Sequence, residues 1–373
     1  MEYTRENLLQ VAKRYRNNRR LSLLVNPLQG KHIPVSPEIS LEMMRTLGGQ
    51  LAKKYPEARF VVGFAETATA IGAAAAGCFP SGTRYVHTTR EALPEVRQWI
   101  EFAEEHSHAV EQKLSLQAVE EGIRQSPTII FVDDEISTGR TLLNMMIRLR
   151  EEIPGFAEKK IVAASLLNRL DEEHQRALQE NGISCEYLVR LPQEDFDAQV
   201  RNLPVEAPQE FRAADVRKAA ELSLSVRLPD PRCGVSIDAY LQACERFAEA
   251  ALARLQAELG QSPKLLVLGT EECMFPALLT GKAFEEAGCC KSVSFHATTR
   301  SPIGVYDQSD YPVRVGFALE SFYEAGRKTY IYDMARYDAA LIVTDAAAET
   351  SGLESLNQIV RQYGCEKVYC LRG

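Results

Sequence analysis

The chain has 373 residues, enough for two domains, and its 45% hydrophobic and 25% charged content is that of a globular protein with a sizeable core. A formal net charge of −8 and a pI near 5.5 argue against non-specific nucleic-acid binding, which calls for basic surface. No stretch approaches the roughly 18 continuous apolar residues of a membrane helix, and the polar first six residues lack the apolar core of a signal peptide. Nine cysteines occur without a CxxC pair, which reads as reduced thiols of a cytoplasmic protein rather than a disulfide framework or a zinc site.

In chain order, apolar strands alternate with amphipathic helices. Strands are predicted over 21–25, 59–64, 83–88, 128–132, 161–167 and 184–189. Helices are predicted over 37–55, 68–77, 141–152 and 172–181. Runs such as Thr128-Ile129-Ile130-Phe131-Val132 are apolar on both faces, as in a parallel sheet covered on both sides. The alternation predicts an open α/β fold, mostly parallel, with helices on both faces. Residues 190–230 change character, with Pro192, Pro204, Pro208, Pro229 and Pro231 among many acidic residues. They read as an arm or linker with a short helix at 213–222. A second α/β region follows, with a helix over 237–259 and strands over 264–268, 292–297, 314–317, 328–332 and 339–343. The expected division is a first domain at 1–205, a linker at 206–230 and a second domain at 231–373.

The two halves read as diverged copies. Val62-Gly63-Phe64-Ala65-Glu66-Thr67 is echoed by Leu268-Gly269-Thr270-Glu271-Glu272. Tyr85-Val86-His87-Thr88-Thr89-Arg90 is echoed by Phe295-His296-Ala297-Thr298-Thr299-Arg300. Ile130-Phe131-Val132-Asp133-Asp134 is echoed by Ile342-Val343-Thr344-Asp345-Ala346. The order is kept. This alignment leaves Ala346 where the second acid of the first half stands.

Residues 128–141 carry the chemistry. A buried strand ends in Asp133 and Asp134, continues through Glu135 into a turn of Ser137, Thr138 and Gly139, and opens a helix near Thr141. A helix N-terminus and a turn of small hydroxyl residues offer backbone N–H groups to one phosphate. Two adjacent carboxylates repel each other unless something polar or cationic sits between them. A ribose diol with Mg²⁺ meets that need. Phosphate on one side and diol on the other describe a ribose 5-phosphate, at the carboxyl end of a parallel strand where open α/β folds bind ligands. The glycine-lysine ending of a Walker loop is absent.

This run, Val132-Asp133-Asp134-Glu135-Ile136-Ser137-Thr138-Gly139-Arg140-Thr141, resembles the phosphoribosyl-pyrophosphate (PRPP) motif of type I phosphoribosyltransferases. With Thr299-Arg300-Ser301-Pro302 downstream and Gly30-Lys31-His32-Ile33-Pro34 upstream, the chain resembles a two-domain phosphoribosyltransferase family of bacterial tellurium-resistance (stress-response) gene clusters, whose second domain, TRSP, is named after that tetrad. The resemblance implies a type I phosphoribosyltransferase fold followed by a second, phosphoribosyltransferase-like α/β domain. It implies a pyrophosphate loop at Ala65, Glu66, Thr67 and Ala68, carrying a non-proline cis peptide. It implies a cation after the next strand, met by Arg90, and a mobile lid, met by Glu105, His106, Ser107 and His108.

The expected activity is transfer of ribose 5-phosphate between PRPP and a base-like acceptor, in the making of a nucleoside-like stress metabolite. Asp133 and Asp134 hold the diol and, through water, Mg²⁺. Ser137, Thr138, Gly139, Arg140 and Thr141 hold the 5-phosphate, Arg90 steadies pyrophosphate, and Glu135 orients or deprotonates the acceptor. The acceptor is expected under a hood from residues 21–35, with Lys31 and His32 as candidates, or from Asn168 onward. Thr298, Thr299, Arg300 and Ser301 form a candidate ligand site in the second domain; the alternative is a domain that buttresses the first or mediates a homodimer. The rival function is a PRPP-sensing regulator without catalysis. Neither a membrane nor nucleic acid is an expected partner.

Overall fold

The computed structural model describes residues 2–17, 20–103, 110–211, 217–346 and 351–373. They fall into two compact units that do not follow the chain. Unit 1 holds residues 42–193 and 229–242. Unit 2 holds 2–41, 194–228 and 243–373. Each half of the sequence therefore contributes a segment to the other half's unit. Among the described residues no helix is long and apolar enough to cross a membrane. The nine cysteines are free thiols.

Unit 1 is built on a six-stranded sheet in the order Val235–Ser236, Arg84–His87, Phe60–Gly63, Thr128–Ile136, Lys160–Asn168, Ile183–Arg190. All neighbours are parallel except Val235–Ser236, which runs antiparallel with Val235 opposite Tyr85. The central strands are apolar on both faces and wholly buried as far as Val132. Phe60 and Phe131 are among the largest side chains lost from solvent; each such side chain contributes about 1.5–3 kcal/mol. The Thr128–Ile136 strand runs four residues beyond its predicted end and carries the acidic residues with it. A hairpin, Trp99–Ala103 with Val110–Ser115, and the helix Leu116–Gln125 fill a stretch with no predicted regular element.

Unit 2 has a five-stranded parallel sheet in the order Ala220–Ser223, Lys367–Arg372, Ala339–Thr344, Lys264–Gly269, Ser292–Ala297. Beside it lie a three-stranded sheet, Gln209–Glu210, Gly316–Glu320 and Lys328–Tyr332, and the hairpin Gln10–Lys13 with Ser22–Val25. The arm thus supplies two strands to this unit. Of the helix predicted at 213–222, the described end is extended: Ala220–Ser223 pairs with Tyr369–Arg372. Pairing to a preformed strand edge overrides the weak helical pattern there.

The two units share one strand order but not one connectivity, since Ile183–Arg190 follows its neighbour in the chain whereas Ala220–Ser223 precedes the other strands of its sheet. In unit 1 the strand order Arg84–His87, Phe60–Gly63, Thr128–Ile136, Lys160–Asn168, Ile183–Arg190 corresponds to Ser292–Ala297, Lys264–Gly269, Ala339–Thr344, Lys367–Arg372, Ala220–Ser223 in unit 2. Local bonds repeat as well. Thr88 N donates to Gly63 O at 2.9 Å, and Thr298 N to Gly269 O at 3.0 Å. Thr89 N donates to Lys113 O and Thr299 N to Tyr330 O, both at 2.9 Å. Val35 pairs antiparallel with Phe295 just before one long helix, as Val235 pairs with Tyr85 just before the other. The strand register shifts the expected alignment by one residue. Gly63 lies opposite Val132 and Gly269 opposite Val343, so Thr344 corresponds to Asp133 and Asp345 to Asp134. The acid that unit 2 lacks is the first of the pair.

Candidate functional site

In-register parallel strands bring Gly63, His87 and Val132 to one edge of the unit 1 sheet. The three loops leaving that edge carry the residues singled out above. The first is short because Gly63 is followed at once by Phe64–Ala68 and then the helix Thr69–Ala76. Ala65 N donates to Thr88 Oγ1 at 2.7 Å, which ties this loop to the second. The Ala65–Glu66 peptide bond is cis. Glu66 and Ala68 are buried, and Thr67 is half-buried.

The third loop holds the acidic pair. Thr67 Oγ1 donates to Asp134 Oδ1 at 3.0 Å, so the first and third loops meet at this carboxylate. Asp134 N donates to Asp133 Oδ1 at 2.9 Å, and Glu135 N to Asp134 Oδ1 at 3.0 Å. Burial, then the neighbouring Asp134 charge, pushes the Asp133 carboxyl well above the usual carboxylate range. Burial and the Glu135 charge push Asp134 upward too. Glu135 faces Arg169 Nη1 at 3.4 Å, at the end of the neighbouring strand. Two carboxylates raised in this way are a donor set that a cation would stabilise in its ionised form.

Ser137, Thr138 and Gly139 then turn the chain into the helix Arg140–Glu152. Gly139 sits at the N-cap in the left-handed region, with φ +70°, and a Cβ there would lie 2.9 Å from Leu178 Cδ1. Only glycine meets both demands at low cost. Arg140 N lies 3.4 Å from Thr138 Oγ1. Ser137, Thr138 and Thr141 are half-buried and Arg140 is exposed. The head of a 13-residue helix thus stands next to the two carboxylates.

Arg90 follows Thr89 directly and is half-buried. Asp133, Asp134, Glu135, Ala65–Ala68, Arg90 and 137–141 therefore share one end of the unit 1 sheet. Glu105, His106, Ser107 and His108 lie outside the described residues; the hairpin that leads to them is described, with Lys113 Nζ 4.7 Å from the Trp99 ring centre. Lys31 and His32 belong to unit 2 and are buried there. Lys31 Nζ donates to Glu271 O at 3.2 Å and Thr298 O at 3.1 Å. Thr298 and Thr299 are buried, and Arg300 Nε lies 2.9 Å from Glu271 Oε2.

Thr88 and Ser165 were not singled out from the sequence, and Asn168 only as the start of a possible hood. Thr88 anchors the first loop, and its signal was the Thr-Thr-Arg triplet present in both halves. Ser165 Oγ and Asn168 Nδ2 are buried on the Lys160–Asn168 strand beside the acidic strand, with no hydrogen-bond partner among the described residues. An isolated serine or asparagine gives no sequence pattern.

Residues 8–192 match the model of a phosphoribosyl transferase family, and residues 231–360 match the TRSP domain that lies C-terminal to it. No curated protein matches the chain. Among solved structures, an adenine phosphoribosyl transferase from Trypanosoma brucei is similar at 14% identity and a TM-score of 0.37, covering 50% of this chain and 77% of that one. The Giardia lamblia adenine enzyme is similar at 16% identity and 0.37, covering 50% and 96%. An orotate phosphoribosyltransferase from Aeropyrum pernix is similar at 16% identity and 0.31, covering 52% and 92%. The family rests on the two sequence matches, which run in the order and place of the acidic loop and the Thr-Arg-Ser-Pro tetrad: this chain belongs to the phosphoribosyltransferase family whose members carry a C-terminal TRSP domain.

Proposed function

We propose that unit 1 transfers ribose 5-phosphate between PRPP and a base-like acceptor, and that the product is a nucleoside-like stress metabolite. The observation that carries this reading is the link from Thr67 to Asp134 beside the helix headed by Gly139. It joins a loop suited to pyrophosphate, a pair suited to a ribose diol, and a helix N-terminus suited to a phosphate.

In this reading Asp133 and Asp134 accept from the ribose hydroxyls. Backbone N–H groups of 137–141 hold the 5-phosphate, and Arg90 with 65–68 steadies the leaving pyrophosphate. The protein positions the reactants and stabilises charge that builds as the C1 bond breaks. Asp133 and Asp134 would hold Mg²⁺ through water, and that ion supplies charge neutralisation for the pyrophosphate oxygens. Among the described residues no three His, Cys, Asp or Glu side chains surround one point, so PRPP itself would complete the ion's ligands. Glu135, held by Arg169, is placed to orient the acceptor, which would lie near Asn168. We place the reaction in the cytoplasm, in a chain able to form a homodimer.

The test is pyrophosphate release from PRPP and Mg²⁺ across a panel of purine, pyrimidine and simpler nitrogen bases. Release dependent on one base, and lost in Asp134→Asn, is the expected result. PRPP binding with no release for any base would replace transfer by PRPP sensing.

A further inference from the structure

In unit 2, the loop equivalent to 65–68 carries two buried carboxylates, Glu272 in the place of Glu66 and Glu271 where unit 1 has none. The correspondence is fixed by the backbone. Ala65 N donates to Thr88 Oγ1, and Glu271 N donates to Thr298 Oγ1 at 2.9 Å. From Gly63 to the helix at Thr69 and from Gly269 to the helix at Phe275 the loops have the same length. Glu271 therefore stands where unit 1 has Ala65.

The Glu271 side chain is wholly buried and held like a bound anion. Its Oε2 receives Arg300 Nε at 2.9 Å and Arg327 Nη2 at 3.1 Å. Its Oε1 receives Ser321 Oγ at 2.6 Å and Phe322 N at 3.2 Å. Arg300 is the equivalent of Arg90, since each follows a Thr-Thr pair bonded in the same way. Ser321, Phe322 and Arg327 lie at the tip of the hairpin Gly316–Glu320 with Lys328–Tyr332. That hairpin corresponds to Trp99–Ala103 with Val110–Ser115, because Thr299 pairs with Tyr330 as Thr89 pairs with Lys113. Lys31 caps the backbone of the same loop at Glu271 O.

We propose that Glu271 is a built-in stand-in for pyrophosphate: unit 2 is a copy of the transferase site, closed on its own carboxylate, that takes no PRPP. The inference rests on reading 65–68 and Arg90 as the pyrophosphate site of unit 1. Two arginines, a hydroxyl and a backbone N–H converging on two oxygens form an anion site. A covalently attached anion fills it at a local concentration no free ligand matches. Thr344 in place of the first acid removes one of the two diol partners from the same copy, where Asp345 keeps the place of Asp134.

The test removes the stand-in. Glu271 has φ +45°, so Glu271→Gly fits the backbone while Glu271→Ala only opens the space. Both are made in the full chain with Arg90→Ala, which disables the pyrophosphate site of unit 1, and thermal midpoints are read against sodium pyrophosphate without Mg²⁺ at matched ionic strength. Each Glu271 variant is expected to melt lower than its parent. Pyrophosphate at about a hundredfold excess over its Kd is expected to raise that midpoint by about 5–10 °C, with the Arg90→Ala parent nearly unmoved. No pyrophosphate response, rescue by acetate but not by pyrophosphate, or a protein insoluble at every pyrophosphate concentration would each overturn the proposal. PRPP titration of the wild type runs in parallel. Failure there alone, with the rescue intact, would overturn the reading of unit 1 and not the presence of a closed anion site in unit 2.

Discussion

Asp133 and Asp134 are adjacent and half-buried, with Glu135 beside them, and this costs stability. A carboxyl whose pKa is raised by folding stabilises the fold fully only below its unfolded value near 3.8, and that contribution is lost as pH rises through the raised value. At neutral pH the ligand-free protein therefore carries an unfavourable pair. Asp134→Asn is expected to raise stability at pH 7 by about 1 kcal/mol, measured by urea unfolding, while PRPP binding disappears. Lower stability in Asp134→Asn would show that the pair is already compensated. Gly139 has the opposite sign. Gly139→Ala forces a Cβ into the left-handed region and against Leu178. The expected cost is about 1–2 kcal/mol, with weaker PRPP affinity, and an unchanged melting curve would contradict it.

At the level of elements, the exchanged segments matter most. Val235 pairs with Tyr85, Ile237 N donates to Thr83 O, and Tyr240 stacks on Tyr85 with ring centres 6.5 Å apart, all within unit 1. In unit 2, Val35 pairs with Phe295 and Lys13 N donates to Tyr311 OH at 2.8 Å. A chain cut to residues 1–205, or one starting at 231, lacks a piece of its own unit. Neither fragment is expected to unfold with a sharp transition in circular dichroism. Two sharply melting fragments would show that the exchanged segments are dispensable.

Much of this level was legible in the sequence. Fully apolar runs such as 128–132 marked the central strands, because burial on both faces leaves no alternation to misread. The acidic turn and its helix were legible because each residue type there serves local geometry. The hairpin before Leu116 was not, since its short strands Trp99–Ala103 and Val110–Ser115 lack a clean apolar–polar alternation. The exchange of segments was not legible either. Val35 and Val235 look like ordinary residues before a helix, and their partners are set by tertiary contact. The one-residue slip in aligning Asp345 has a similar origin: hydrogen-bond register, not residue likeness, decides which acid matches which.

At the scale of the whole molecule, each unit holds a buried histidine whose pKa is lowered, His87 in unit 1 and His296 in unit 2. Burial lowers each to about 4. A group whose folded pKa is depressed contributes fully above its unfolded value near 6.5 and loses that contribution as pH falls toward 4. Each histidine is expected to remove up to about 3 kcal/mol across that window. Urea unfolding between pH 7 and pH 4.5 tests this, and a flat profile would contradict it. The molecule thus pairs an open acidic site in one unit with an internally neutralised anion site in the other.

The central claim is a PRPP site at Asp133 and Asp134, and calorimetric titration of the full chain with PRPP tests it most directly. The account predicts one site per chain that requires Mg²⁺ and is lost when both acids are changed to asparagine. Absence of binding at millimolar PRPP, or binding that survives the double change, would contradict it.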